Sequence, residues 1–173
     1  MTIIHIIEES FDGLAYPDDW LRCGGGDDDD VKELRNYRDW RAIPNAVIER
    51  GFLALPILSA KAFQFVLPAY LRAVLRNFPG DSPVSDTTIY SLNPYKNGKL
   101  DEFSLGQYIY LTEPQRNAIV QWLEFLLCEH ADEIDDVHAR AALKYWKDAS
   151  CAKTLGSPRT RKNLKKRDAR RNR

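Results

Sequence analysis

The sequence predicts a mainly α-helical protein: a compact single-domain multi-helix bundle with a kinked or split central helix and a disordered basic C-terminal tail. Its 173 residues are 44% hydrophobic and 29% charged, with 9 Gly and 9 Pro, which excludes collagen-like, fibrous and wholly disordered chains. Apolar residues recur at helical spacing in several stretches, and lysine and arginine are concentrated at the C-terminal end. We therefore expect a helical globular domain over residues 1–156 and a basic tail over 157–173.

The N-terminal segment is predicted to form a helix. Thr2 is a suitable N-cap, and Ile3, Ile7 and Phe11 then fall on one stripe before the chain reaches Gly13. The β-branched residues that open the chain leave a strand as the alternative. The two glutamates that follow them continue a helical pattern better than a period of two.

An acidic segment comes next and is expected to lead into a second helix. Carboxylates are favoured at a helix N-terminus, so we expect a helix over Val31–Tyr37, and a short helix over Pro44–Arg50 with proline at its start. Three apolar residues near this region are expected to pack on the body: Trp20, Trp40 and Ile43. Four consecutive aspartates form a candidate acidic surface: Asp27, Asp28, Asp29 and Asp30.

The centre of the chain is its most apolar part and predicts a long helix with Ser59 as N-cap. Pro68 cannot donate a backbone hydrogen bond, so this helix is either kinked or divided into two helices that meet at Leu67. Aromatic residues at helical spacing are more often core residues than cofactor ligands. Six are expected in the core: Phe63, Phe65, Tyr70, Phe78, Trp122 and Phe125.

The segment after the central helix is less regular. A short element is expected around Asp86–Leu92, followed by a turn at Lys96–Lys99 and by an irregular stretch or short strand over Phe103–Leu111. Exposed aromatic side chains here would favour a protein-binding surface. Four tyrosines cluster in this segment: Tyr90, Tyr95, Tyr108 and Tyr110.

Two further helices complete the predicted bundle. The first begins at Thr112-Glu113-Pro114-Gln115, a capping box with proline in the first turn. Its predicted buried stripe is Ile119, Trp122, Leu123, Leu126, Leu127 and His130. The second helix is expected to end near Lys147. One face of it is expected to carry Ile134, Val137, His138, Ala141 and Tyr145.

The formal net charge is zero, but the charge is unevenly distributed: residues 1–156 carry −8 and residues 157–173 carry +8. Dense lysine and arginine neutralise nucleic-acid phosphates and release counterions. The same tail could instead bind an acidic protein, solubilise the chain, or fold back on its own acidic body. The candidate nucleic-acid or partner-binding residues are Arg159, Arg161, Lys162, Lys165, Lys166, Arg167, Arg170, Arg171 and Arg173.

The cysteines and the apolar stretches indicate a cytoplasmic protein. Cys23, Cys128 and Cys151 are odd in number and contain no Cys-x-x-Cys pair, which fits reduced thiols rather than a disulfide scaffold or a four-cysteine zinc site. The N-terminus lacks the basic segment of a secretory signal. The longest uncharged apolar stretch, residues 51–60, is half of the roughly 20 residues that a membrane-spanning helix needs. No membrane partner is expected.

No catalytic residue, cofactor or metal site is predicted. Gly80-Asp81-Ser82 and the pair Asp135 and His138 are similar to two blocks of the GDSL-type hydrolases, but the serine here follows a predicted helix and a proline rather than a buried strand. A loop and a helix surface are therefore expected instead. The aspartate run lacks the alternating acids of a calcium loop, and His130 and His138 have no recognisable third ligand. We do not expect an enzyme.

Two passages resemble an uncharacterised bacterial family of small helical proteins. They are Phe65–Leu71, which contains the motif LPAYL, and Leu111–Ile119, which contains LTEPQRNAI and leads into Trp122-Leu123-Glu124-Phe125-Leu126. The resemblance covers residues 3–128 and leaves out the basic tail. It implies a bacterial, compact and mainly helical protein, and it implies no activity, cofactor or catalytic residue.

These observations favour a non-enzymatic cytosolic protein that acts by contact with another protein, as an immunity-like or regulatory partner. The acidic body suits a basic partner, such as a nuclease toxin, because complementary charge steers association. The alternative is a nucleic-acid- or ribosome-associated accessory protein that binds through its basic C-terminal tail.

Overall fold

The computed structural model describes residues 2–21, 28–76 and 83–148, and within these ranges the protein is mainly α-helical, as predicted. The helices are α1 (Ile3–Ser10), α2 (Asp28–Lys32), α3 (Asn45–Arg50), α4 (Ala60–Arg76), α5 (Pro83–Leu92), α6 (Glu102–Gln107), α7 (Glu113–Glu129) and α8 (Asp136–Lys147). Short 3₁₀ turns lie at Leu34–Asn36, Trp40–Ala42, Leu55–Ile57 and Ala131–Glu133. An antiparallel hairpin joins β1 (Tyr95–Lys96) to β2 (Lys99–Leu100).

Helix α4 is the centre of the bundle, where it packs against α1, α3, α5 and α6. It is apolar on almost every side, which is typical of a helix enclosed by its neighbours. Ser59 caps it as predicted, since its hydroxyl oxygen accepts from the Ala62 amide at 3.2 Å. Pro68 lies inside this one helix, so the alternative of two helices meeting at Leu67 does not occur. Burial of α4 on almost every side stabilises this helix and offsets the loss of the one backbone hydrogen bond that Pro68 cannot donate.

Helix α7 packs against α1 and α8 and begins at the predicted capping box. The Gln115 side-chain oxygen accepts from the Thr112 amide at 3.0 Å. Four residues of the predicted stripe are buried and two, Leu127 and His130, are half-buried. The buried four are Ile119, Trp122, Leu123 and Leu126.

The inward face of α8 differs from the prediction. Its buried residues are Ala139, Ala142 and Tyr145, whereas Val137 is 70% exposed. The Asp135 side chain accepts from the His138 amide at 3.0 Å and so starts the helix. The side of α8 that packs against α7 and α5 carries the small alanines, which permit close approach of the helices, and Val137 therefore lies on the outer side.

Two helices differ from the predicted elements. Helix α2 begins at Asp28 and ends at Lys32, and the 3₁₀ turn Leu34–Asn36 replaces the rest of the helix expected over Val31–Tyr37. The prediction of an irregular stretch or short strand over Phe103–Leu111 is wrong, because α6 spans Glu102–Gln107. The reason is a capping residue before it. An oxygen of Asp101 accepts from the Ser104 amide at 2.9 Å and from the Ser104 hydroxyl at 2.8 Å.

Most aromatic residues expected in the core are buried. The exceptions are Phe125, which is half-buried, and Phe78, which lies outside the described residues. The buried ones are Phe63, Phe65, Tyr70 and Trp122. The predicted burial of Trp20, Trp40 and Ile43 is also confirmed.

Candidate interaction surface

The residues proposed from charge alone fall mostly outside the described part of the chain. Asp27 and the nine basic residues between Arg159 and Arg173 are outside it. Asp28, Asp29 and Asp30 form the first turn of α2, and the Asp29 side chain is exposed. The acidic surface at residues 27–30 and the binding role of the tail therefore stay predictions.

The tyrosine cluster divides into exposed and buried members. Tyr90 and Tyr110 are exposed, Tyr95 is half-buried, and Tyr108 is fully buried. Tyr108 is held inside because its hydroxyl donates to the Ser91 carbonyl at 2.6 Å. Its ring also contacts those of Phe63 and Trp146.

Four exposed apolar side chains lie within a stretch of eleven residues along β2, α6 and the turn after α6. They are Leu100 (43% exposed), Phe103 (50%), Ile109 (40%) and Tyr110 (46%). We call these four side chains the hairpin–α6 surface. The sequence analysis pointed to Tyr110 but missed the other three, because their exposure depends on a helix that it did not predict.

Charged residues connect the hairpin to α6. The Lys96 ammonium lies 3.2 Å from an oxygen of Asp101 and 5.4 Å from the centre of the Phe103 ring. Burial acts to raise the pKa of Asp101, but hydrogen bonds from Ser104 and the nearby Lys96 outweigh it, so this pKa lies below its usual value. Asp101 therefore stays ionised and holds the strand end and the helix start together.

Buried contacts and hydrogen bonds hold in place the elements that carry the hairpin–α6 surface. Asn97 and Gly98 both have positive φ, as tight two-residue hairpin turns require. The Tyr95 ring, on β1, contacts Tyr145 of α8. Below α6, the buried Gln107 amide donates to the carbonyls of Leu55 and Leu58 at 2.9 and 3.0 Å. The exposed apolar side chains are therefore mounted on well-packed elements.

A second group joins the outer side of α5 to the start of α8. The Tyr90 hydroxyl donates to Asp135 Oδ2 at 2.8 Å, and His138 Nδ1 lies 3.0 Å from the same oxygen. The Tyr90 and His138 rings meet edge to face, with centroids 4.5 Å apart. Bonds from the His138 amide and from Tyr90 lower the pKa of Asp135, and donation to Asp135 raises the pKa of the Tyr90 hydroxyl.

This second group does not resemble a catalytic triad in the residues that can be described. Asp135 caps α8 on the protein surface, and a helix surface was expected at this position. Ser82 lies outside the described residues. His130 and His138 lie nearest to different acids, Glu133 at 3.5 Å and Asp135 at 3.0 Å. In the part of the chain that is described, no group of three or more His, Cys, Asp and Glu side chains is placed to hold a metal ion.

An open depression of about 470 Å³ lies beside α1 and is lined by polar side chains that contact one another. The Arg41 guanidinium donates to Asp12 at 2.7 Å and to the Glu8 carbonyl at 3.0 Å. His5 lies 3.3 Å from Glu9. These groups pair mainly with each other, so the depression presents few converging polar atoms to a ligand.

The fold and surface define a small helical protein with an apolar face and an acidic body. Comparison with known families matches residues 23–150 to the model of a family of unknown function, DUF6714. The chain belongs to this family. The matched range starts after α1 and continues through α8, so it differs at both ends from the range 3–128 expected from the motifs. No curated protein and no solved structure matches the chain.

Among the helices of the described residues, none combines the length and the apolar character needed to cross a membrane.

Proposed function

We propose that this protein acts by contact with another protein, and that the hairpin–α6 surface is where the partner binds. The supporting observation is the concentration of four exposed apolar side chains on well-packed elements. Single exposed apolar residues are ordinary, whereas several exposed apolar side chains close together in the chain favour a binding surface. Phe103 and Tyr110 supply aromatic side chains, and aromatic residues often carry much of the energy of protein interfaces.

Charge gives the chemistry of the proposed partner. Residues 1–156 carry a net charge of −8, so a basic protein would be steered toward this body and an acidic one repelled. The partner is therefore a basic protein with an apolar contact area. We place the interaction in the cytoplasm of a bacterial cell. This location fits the three cysteines of the sequence, which form no Cys-x-x-Cys pair, and the exposed, free Cys128.

The first prediction concerns this surface. Replacing both Phe103 and Tyr110 by serine should weaken partner binding at least about thirtyfold, which corresponds to about 2 kcal/mol, because both aromatic anchors are lost. The measurement compares proteins captured from a cell extract by the full chain and by the double variant, using quantitative mass spectrometry. A captured partner should be depleted in the variant sample.

The matched control for that experiment is Val137→Ser. Val137 is 70% exposed, and it lies in the first turn of α8, whereas the hairpin contacts α8 at Tyr145, two turns further along. It should keep the partner. Equal capture of every protein by the double variant and by the unaltered chain would refute the proposed surface.

The basic tail supports a second candidate function, which is binding to nucleic acid. Nine basic residues and one acid between Ser157 and Arg173 give a charge density that favours phosphate contacts without sequence preference. A variant that ends at Gly156 should lose binding to generic RNA and DNA, while the full chain should bind with an affinity that falls steeply between low and near-physiological salt. Binding that survives removal of the tail would exclude this function for the tail.

A further inference from the structure

We draw no further inference here: the strongest candidate, the open depression beside α1, is a cluster of acidic side chains whose ionic partners, Arg41 and His5, line the same depression, and nothing in the part of the chain that the structure describes shows what ligand would bind there.

Discussion

Replacing Trp122 by alanine is expected to lower the free energy of unfolding by about 4 kcal/mol, within the range for large aromatic residues removed from a core. Trp122 is fully buried on α7, and its indole N–H donates to the Leu71 carbonyl of α4 at 3.1 Å. Alanine would leave a cavity beside the central helix and would remove the additional hydrogen bond to that carbonyl, which keeps its backbone bond within α4. Urea unfolding followed by circular dichroism measures the loss.

Two further variants separate the causes of that loss. Trp122→Phe keeps most of the ring volume and removes the N–H, so it should cost only about 1–2 kcal/mol. Phe103→Ala removes an aromatic ring that is 50% exposed, and it should cost less than about 1 kcal/mol. A loss as large for Phe103→Ala as for Trp122→Ala would contradict the difference in burial between the two rings.

Replacing Gln107 by leucine is expected to cost about 2–3 kcal/mol although the leucine side chain is more apolar. Gln107 is 3% exposed, and its amide satisfies the buried carbonyls of Leu55 and Leu58. Leucine would remove both bonds where water has little access, and such a loss is costly; the Leu55 carbonyl would keep only a long bond of 3.4 Å from the Leu58 amide. The same unfolding experiment measures it.

The control for Gln107 is Gln64→Leu. The Gln64 amide donates to the Tyr110 carbonyl at 2.8 Å and to the Gln115 side chain at 2.9 Å, but it lies near the surface. Water can replace its bonds, so this substitution should cost less than about 1 kcal/mol. Similar losses for the two glutamines would mean that the carbonyls of Leu55 and Leu58 reach solvent.

Local signals predicted several elements well. The cap residues Thr2, Ser59 and Thr112 mark the starts of α1, α4 and α7, because capping satisfies backbone groups within a few residues of sequence. Helix α6 was missed although Asp101 and Ser104 carry the same kind of signal. Helix α6 has only six residues, Glu102–Gln107, which is too short for apolar residues to recur at helical spacing.

The sequence by itself determined the helical class of this protein, its main helix starts and the separation of an acidic body from a basic tail. These properties depend on capping, on apolar spacing and on charge, all of which act between residues close in the chain. Only the tertiary structure decided which apolar side chains face solvent. Tyr108 is buried and Tyr110 exposed, two residues apart, because Tyr108 reaches Ser91 and Trp146 across the bundle. Val137 faces outward because α8 packs its Ala139 and Ala142 side against α7 and α5. Such exposure depends on contacts between residues distant in sequence, and the hairpin–α6 surface is defined by those contacts.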